Sequence, residues 1–312
     1  MREKIISILL IVLIICFIPI FITTVIKGIP RDKHNVEIKE SVKVLVNEKQ
    51  QNMNLNDYLI GVVAAEMPVN FYDEALKAQA VAARTFTLKK MQNDSNHIFN
   101  NSEQAYLTKE DMEVSWGTEN FAKYYNKIRN AVVNTNNEVV VYEGDLIEAV
   151  FHSTSAGMTQ SAKDVWGEDI PYLVSVSSSE DINSPEYLHK QTFTQEEFIS
   201  KIKERINDFG AYTNEIINEI QIISRTKEGY VAQIQIGNKI LDGEVVRSYL
   251  GLESSNFSID NVDGNIEVSC KGYGHGVGMS QYGADSLAQQ GYTYKEILEH
   301  YYTDTAVNVI SR

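Results

Sequence analysis

The stretch L-N-D-Y-L-I-G-V-V-A-A-E-M-P at residues 55–68 decides how the fold is read, because its apolar residues recur at helical spacing. Leu55, Leu59, Val62 and Glu66 follow one another at intervals of 4, 3 and 4 residues, which places them on one face of a helix. Since desolvation raises the pKa of a carboxyl group, a glutamate on this apolar stripe is a candidate general acid. The alternative is that Glu66 merely ends the helix and reaches solvent.

A second helix is predicted at residues 73–91, after Pro68 stops the first. Its Ala, Lys, Gln and Leu residues are good helix formers. Arg84 repeats the anomaly of Glu66, because the other residues on its face are Leu76, Ala80 and Leu88. A cation and an anion on the inward faces of consecutive helices could pair across the turn at Pro68. We therefore expect Arg84 either to form a structural ion pair or to position a substrate.

The rest of the chain mixes strands and helices without a regular strand–helix alternation, which predicts an α+β fold. The predicted elements are a strand at 42–46, helices at 119–133, 244–250 and 294–301, hairpins at 138–153 and 217–236, and a helix that Thr194–Glu197 opens as a capping box and Gly210 closes. One body is expected at residues 41–312, with a possible inserted lobe at about 184–265.

The composition is that of an ordinary folded protein and excludes several classes of function. Of the 312 residues, 43% are hydrophobic and 22% are charged, and 28 Lys and Arg stand against 42 Asp and Glu, a net charge of −14. Because a nucleic-acid binder needs surplus Lys and Arg to neutralise phosphates, we expect no nucleic-acid partner. The two cysteines, Cys16 and Cys270, exclude a disulfide framework and a cysteine-rich zinc cluster.

The N-terminal end carries an uncharged stretch at residues 5–26, dominated by Ile, Leu, Val and Phe. As a helix this stretch reaches about 33 Å, enough to cross a bilayer core of about 30 Å. It is longer than the apolar part of a cleaved signal peptide and has no A-x-A cleavage pattern after it. We therefore expect a single uncleaved transmembrane anchor, with a short tail at residues 1–4 and a polar tether at 27–40. Basic residues flank both ends, so charge does not decide the orientation.

Two further segments are candidate site loops, while the P-loop, H-E-x-x-H, G-x-S-x-G and C-x-x-C motifs are absent. In FHSTSAG (151–157), His152 and Ser153 could bind sugar hydroxyls or orient a catalytic group, or the segment could be a turn with self-bonded hydroxyls. In GYGHGVGMSQYGA (272–284), dense glycines let backbone approach a ligand, and Tyr273 and His275 lie among them. A flexible linker is the alternative for this second segment.

Four segments in order, at 55–68, 75–86 (ALKAQAVAARTF), 151–157 and 272–284, resemble the stage II sporulation protein D family. The resemblance spans about residues 40–310. It implies a membrane-anchored lytic transglycosylase of sporulation engulfment, which cleaves the β-1,4 bond between N-acetylmuramic acid and N-acetylglucosamine and leaves a 1,6-anhydro end. The catalytic glutamate of that family matches Glu66. Arg84, His152, Ser153, Tyr273 and His275 are then expected to bind substrate or tune Glu66.

The resemblance also implies a cell-wall setting. The substrate would be peptidoglycan glycan strands already stripped of peptides by stage II sporulation protein P, an amidase, with stage II sporulation protein M as a second partner. The chain would be a single-pass protein of the cell membrane, with residues 1–4 cytoplasmic and the body on the extracytoplasmic, wall-facing side.

Some clostridial members bind zinc through a His and two Cys, but HIFNNSEQAY (97–106) has only His97. We therefore expect neither a metal nor a cofactor.

The same family resemblance also allows the hypothesis that the chain is not an enzyme. Some relatives enhance a cell-wall amidase, and such a protein would bind the wall without cleaving it. An anchored structural component of the engulfment machinery is a third possibility. Retention of Glu66 favours the enzyme.

Overall fold

The computed structural model describes residues 41–211 and 215–310, and over these residues the fold is α+β as predicted. Its helices are α1 (Leu55–Glu66), α2 (Asp73–Asn93), α3 (Lys109–Trp116), α4 (Thr118–Asn134), α5 (Ala162–Trp166), α6 (Gln195–Lys203), α7 (Gly243–Leu250), α8 (Gln281–Gln289) and α9 (Tyr294–Tyr301). Short 3₁₀ helices span Ser179–Asn183 and Ile216–Glu219.

The strands form small sheets instead of one large one. They are β1 (Ser41–Val46), β2 (Lys49–Asn54), β3 (Ile98–Phe99), β4 (Glu138–Tyr142), β5 (Asp145–Leu146), β6 (Phe151–His152), β7 (Leu188–Phe193), β8 (Ile220–Arg225), β9 (Val231–Ile236), β10 (Lys239–Asp242), β11 (Phe257–Val262), β12 (Asn265–Lys271), β13 (Met279–Ser280) and β14 (Ala306–Val309). Their orders are β2-β1-β3, β14-β4-β5, β13-β6, β10-β9-β8 and β11-β12-β7.

Helix α2 is the centre of the body, because it packs against α1, α4, α8, α9 and β4. Its small alanines and its Leu76 and Val81 side chains are excluded from solvent, so neighbouring helices can approach closely. Helix α1 begins at the N-cap Asn54, whose side chain accepts a hydrogen bond from the backbone of Asn56. The C-terminal end of α1 lies beside the N-terminal end of α8, where Gln281 contacts Glu66.

A separate hydrophobic cluster includes residues of the possible lobe at about 184–265 and continues beyond it along β12. It joins β7, β9, β11 and β12 with α6 and α7, and its members run along the chain from Phe193 to Cys270. Tyr230 of this region is buried, and its hydroxyl accepts a hydrogen bond from Ala156 N–H at 2.9 Å. Tyr230 therefore contacts the 151–157 segment directly.

Three boundaries differ from the prediction. The hairpin predicted at 138–153 ends at Leu146, because β6 pairs with β13 and not with β4. The helix that begins at the Thr194 capping box ends at Lys203, not at Gly210. Asp208, between these two positions, has a left-handed backbone with φ of 65°, which does not fit a continued helix. The predicted loop at 272–284 is helical from Gln281 onward, where Ser280 provides the N-cap. The elements that were not predicted are helices α3, α5 and α8 and strands β2, β3, β7, β10, β11, β12, β13 and β14.

The predicted anchor at residues 5–26 lies outside the described residues, as do the tail and the tether. Among the helices that the structure describes, none combines the length and the apolar character needed to cross a membrane.

Candidate active site

The carboxyl group of Glu66 lies half-buried at the C-terminal end of α1. Its Oε1 accepts a hydrogen bond from Ala105 N–H at 2.7 Å, and its Oε2 accepts one from Gln281 Nε2 at 3.4 Å. Burial raises the pKa of Glu66, and the two hydrogen bonds oppose that rise only in part. Such a carboxyl holds its proton closer to neutral pH than an exposed one, which suits a general acid.

The segment that binds Oε1 of the carboxyl group is held rigidly against α1. Gln104 is buried and accepts hydrogen bonds from the hydroxyls of Tyr58, at 3.1 Å, and Thr87, at 3.0 Å. Gly61 provides the space for this contact, because a Cβ there would lie 2.1 Å from the ring of Tyr106. The N–H of Ala105, which donates to Glu66, is therefore held in place by contacts of its segment with both α1 and α2.

The N-terminal end of α8 is held by a buried carboxylate that was not predicted. Ser280 Oγ accepts a hydrogen bond from Gly283 N–H at 3.2 Å and donates one to Asp181 Oδ1 at 2.8 Å. The other oxygen of Asp181 accepts from Ser155 N–H at 2.8 Å. Burial raises the pKa of Asp181, while these hydrogen bonds lower it. Asp181 thus ties the 151–157 segment to the start of α8.

The two predicted loop segments pair with each other. Strands β6 and β13 run parallel, and Thr154 and Tyr273 exchange backbone hydrogen bonds of 3.1 and 2.7 Å. Gly278 has φ of +74°, and a Cβ there would lie 2.1 Å from the carbonyl oxygen of Val150. At this position the glycine allows two backbone segments to approach each other. This contact excludes the flexible-linker alternative for 272–284.

His152 and His275 lie side by side around Val277, with ring centroids 5.8 Å apart. Nδ1 of His152 donates to the Val277 carbonyl at 3.1 Å, and Nδ1 of His275 accepts from Val277 N–H at 3.0 Å. Burial lowers the pKa of His152 to about 3 and that of His275 to about 4. Both rings are therefore neutral at physiological pH. Nε2 of His152 is buried and has no hydrogen-bond partner in the described part of the chain.

Ser153 and Tyr273 occupy different parts of this surface. The carbonyl of Ser153 accepts a hydrogen bond from Tyr282 N–H at 3.1 Å, so Ser153 adjoins the start of α8 and hence the Glu66 side of the molecule. The Tyr273 side chain is 44% exposed, and its ring lies 5.6 Å from that of His189. An exposed ring of this kind can stack on a sugar.

Arg84 is only 1% exposed, and its guanidinium donates to backbone carbonyls and not to Glu66 in the described structure, so the ion pair offered as one alternative is not formed. Its guanidinium donates to the carbonyls of Val132 at 3.0 Å, Thr135 at 2.7 Å and Glu138 at 3.1 Å. These carbonyls lie at the C-terminal end of α4 and the start of β4, where a cation is favoured. Burial lowers the pKa of Arg84 to about 10, so it stays charged. This geometry supports a structural role over substrate binding.

Within residues 41–211 and 215–310, no three His, Cys, Asp or Glu side chains are grouped so that they could hold a metal. Nε2 of His97 instead lies 3.0 Å from Glu103 Oε1. The expectation that this chain binds no zinc stays a prediction.

The chain is similar to known sporulation proteins. A family model described as SpoIID, Stage II sporulation protein, matches residues 46–142. Stage II sporulation protein D of Bacillus amyloliquefaciens is 41% identical over 264 residues, which cover 82% of this chain and 74% of the relative. Its Bacillus subtilis (strain 168) counterpart is 38% identical over 270 residues, covering 84% and 76%.

A second kind of relative is more distant. An amidase enhancer of Bacillus subtilis (strain 168) is 30% identical over 296 residues, which cover 80% of this chain but only 40% of that protein. The identity and the coverage shared with the two sporulation proteins are higher and extend over most of both chains. The chain therefore belongs to the stage II sporulation protein D family.

Proposed function

We propose that the chain is a membrane-anchored lytic transglycosylase that cleaves the β-1,4 bond between N-acetylmuramic acid and N-acetylglucosamine. The observation that carries the proposal is the environment of Glu66, a half-buried carboxyl with a raised pKa and one fixed donor on each oxygen. Burial and these two donors are the causes of the shift of its pKa. The proposed reaction needs only this one carboxyl, whereas a hydrolase that uses a nucleophile or base needs a second carboxylate.

A single carboxyl is sufficient if the sugar supplies the nucleophile. Protonated Glu66 gives its proton to the glycosidic oxygen, and the bond from that oxygen to C1 of the muramyl residue breaks. The C6 hydroxyl of the same residue forms the new bond to C1, and Glu66 takes up the hydroxyl proton. No water is consumed, and the 1,6-anhydro ring closes as Glu66 returns to its protonated state.

The setting of this reaction is part of the same proposal. The anchor at residues 5–26 would hold the body on the wall-facing side of the cell membrane. The substrate would be glycan strands freed of peptides by stage II sporulation protein P, with stage II sporulation protein M in the same complex. Membership of a sporulation family and the apolar N-terminal stretch support this arrangement.

The relative named an amidase enhancer supports a second candidate function. In that case the chain would bind glycan strands and stimulate an amidase without cleaving sugar bonds. The two candidates differ in one respect that can be measured, namely whether the chain alone creates new strand ends.

The deciding experiment is mass spectrometry of peptide-free glycan strands incubated with the full chain in detergent, beside its Glu66→Ala variant. Anhydro-muramic ends from the wild type alone would support the transglycosylase. Reducing ends would indicate a hydrolase. No new ends from either protein, with strand binding intact, would overturn the enzymatic proposal in favour of the amidase enhancer.

A further inference from the structure

The amide of Gln281 is the only side chain that the structure places in hydrogen-bond contact with Glu66 within residues 41–211 and 215–310. Gln281 is the first residue of α8 and is 5% exposed, so its side chain has little freedom to move away. Its Nε2 lies 3.4 Å from Glu66 Oε2, while Ala105 N–H binds Oε1. The two oxygens of the carboxyl group therefore have different and separately fixed donors.

The backbone at Gln281 is held as firmly as its side chain. Ser280, directly before it, is fully buried, and its hydroxyl accepts a hydrogen bond from Gly283 N–H and donates one to Asp181. A Cβ on Gly283 would lie 2.1 Å from the hydroxyl of Tyr301 and 2.4 Å from that of Ser178, so the first turn of α8 has no space in which to shift. Asp181 is itself fully buried. The position of the Gln281 amide is thus set by the fold.

We propose that Gln281 is a positioning residue for Glu66: its amide fixes the rotation of the carboxyl group and makes Oε2 the oxygen that carries and returns the proton. Oε1, bound at 2.7 Å by a backbone N–H, then acts as the carbonyl oxygen. Oε2 keeps one lone pair for Gln281 and uses the other for the proton. This inference rests on the proposed acid–base role of Glu66.

The role predicts a particular change when the donor is removed. A hydrogen bond to the ionised carboxylate lowers its pKa, so loss of the Gln281 amide raises the pKa of Glu66 further. Among the described residues, Tyr58 is a titratable group whose pKa is affected by the charge of Glu66. Burial raises the pKa of Tyr58 well above its usual range, so Tyr58 stays neutral. The alkaline limb of the activity profile, which reports loss of the Glu66 proton, should therefore move to higher pH.

The test compares Gln281→Leu and Gln281→Met in the full chain with Gln289→Leu and Gln289→Met, because neither substitution adds a charge beside Glu66. Gln289 ends the same helix and is exposed, so the second pair controls for the chemistry of the substitutions. The first readout is the carbon-13 NMR titration of the Glu66 carboxyl, assigned by its loss in Glu66→Gln. The second is the pH dependence of turnover on peptide-free glycan strands.

Both Gln281 variants should shift the Glu66 titration to higher pH, and the Gln289 variants should not. Turnover near neutral pH should fall by about ten- to a hundredfold in Gln281→Leu, because a freely rotating carboxyl is misplaced for much of the time. A Glu66 titration unchanged in both Gln281 variants would overturn the inference, as would equal shifts in the Gln289 controls. If Gln281→Leu does not fold, Gln281→Met decides, because it keeps the length of the side chain without the donor and without a charge.

The titration also separates this inference from the proposed function. A wild-type chain that makes no anhydro ends would refute the transglycosylase, whereas the NMR shift would still measure the coupling between Gln281 and Glu66. A wild-type enzyme with an unmoved titration in the variants would refute the coupling alone.

Discussion

The end of α1 and the middle of α2 have the same pattern in the sequence but different environments in the structure. Each helix places one charged residue, Glu66 or Arg84, on an otherwise apolar face. Arg84 is excluded from solvent and donates to three backbone carbonyls. Glu66 is half-buried, and it has one firm backbone partner and one long side-chain contact.

The difference shows that burial has opposite consequences for a group with a very high ordinary pKa and for one with a low ordinary pKa. Burial lowers the pKa of Arg84 only to about 10, so the guanidinium stays charged and donates to carbonyls at the C-terminal end of α4. Burial at Glu66 disfavours the charged form more than its two donors favour it. Arg84 therefore remains a charged structural group, whereas Glu66 holds its proton closer to neutral pH.

The largest expected effect is on turnover when Glu66 becomes Gln. Loss of the transferable proton should lower turnover about a thousandfold, the usual contribution of an acid–base group. The stability should change by less than about 1 kcal/mol, because Glu66 is half-buried and Gln retains its shape. Product analysis of the strands and urea unfolding measure the two quantities. Normal turnover in this variant would contradict the mechanism.

The opposite pattern is expected for Arg84→Met. Three buried carbonyls lose a charged donor, although those of Val132 and Thr135 keep a second one. Because a hydrogen bond to a charged group contributes about 1.5–3 kcal/mol, the free energy of unfolding should fall by about 3–5 kcal/mol. Arg129→Met on α4, an exposed position, should change it by less than about 0.5 kcal/mol. Urea denaturation of both variants makes the comparison. A stable Arg84→Met protein with a greatly raised KM would instead restore Arg84 to substrate binding.

A smaller loss is expected when Gly61 becomes Ala. The added methyl would overlap the ring of Tyr106, so the 104–107 segment must move and the free energy of unfolding should fall by about 1–3 kcal/mol. Because Ala105 belongs to this segment, turnover should also fall. Gly210→Ala, whose new Cβ would lie 3.5 Å from its nearest neighbour, is the control for thermal unfolding. Unchanged turnover in Gly61→Ala would show that the Ala105 donor is dispensable.

The smallest effect concerns the pH dependence of stability. Because the folded protein raises the pKa of Glu66 above its ordinary value of 4.5, the folded state binds that proton more tightly than the unfolded state. The wild type should therefore lose stability relative to Glu66→Gln as the pH rises through the folded-state pKa. Below about pH 4.5 this relative loss is absent. Parallel melting curves test this, and a gap that widens toward acid pH would contradict the direction of the shift.

The sequence was sufficient to locate the elements that depend on local pattern. The spacing in 55–68 placed Glu66 on α1, and the hairpin at 138–146 and helix α9 follow from equally local signals. The dense glycines in 272–284 indicated a close backbone approach, although it is made with strand β6 and its neighbours.

The hydrogen-bond partners of the charged groups could not be predicted from local sequence in the same way. Ala105 lies 39 residues from Glu66, and Gln281 lies 215 residues away, so only the folded chain brings these donors to the carboxyl. Asp181 gave no signal, because a lone Asp in a polar stretch is most often a turn residue. Gln281 stood within a quoted motif, but its amide was not distinguished from the residues around it.

The most direct measurement is cleavage of peptide-free glycan strands by the full chain in water enriched in oxygen-18, followed by mass spectrometry of the new ends. If Glu66 transfers a proton between the two sugar oxygens, the ends are anhydro-muramic residues that carry no heavy oxygen, and Glu66→Gln yields none. Reducing ends that contain oxygen-18 would contradict this account, because water would then be the nucleophile.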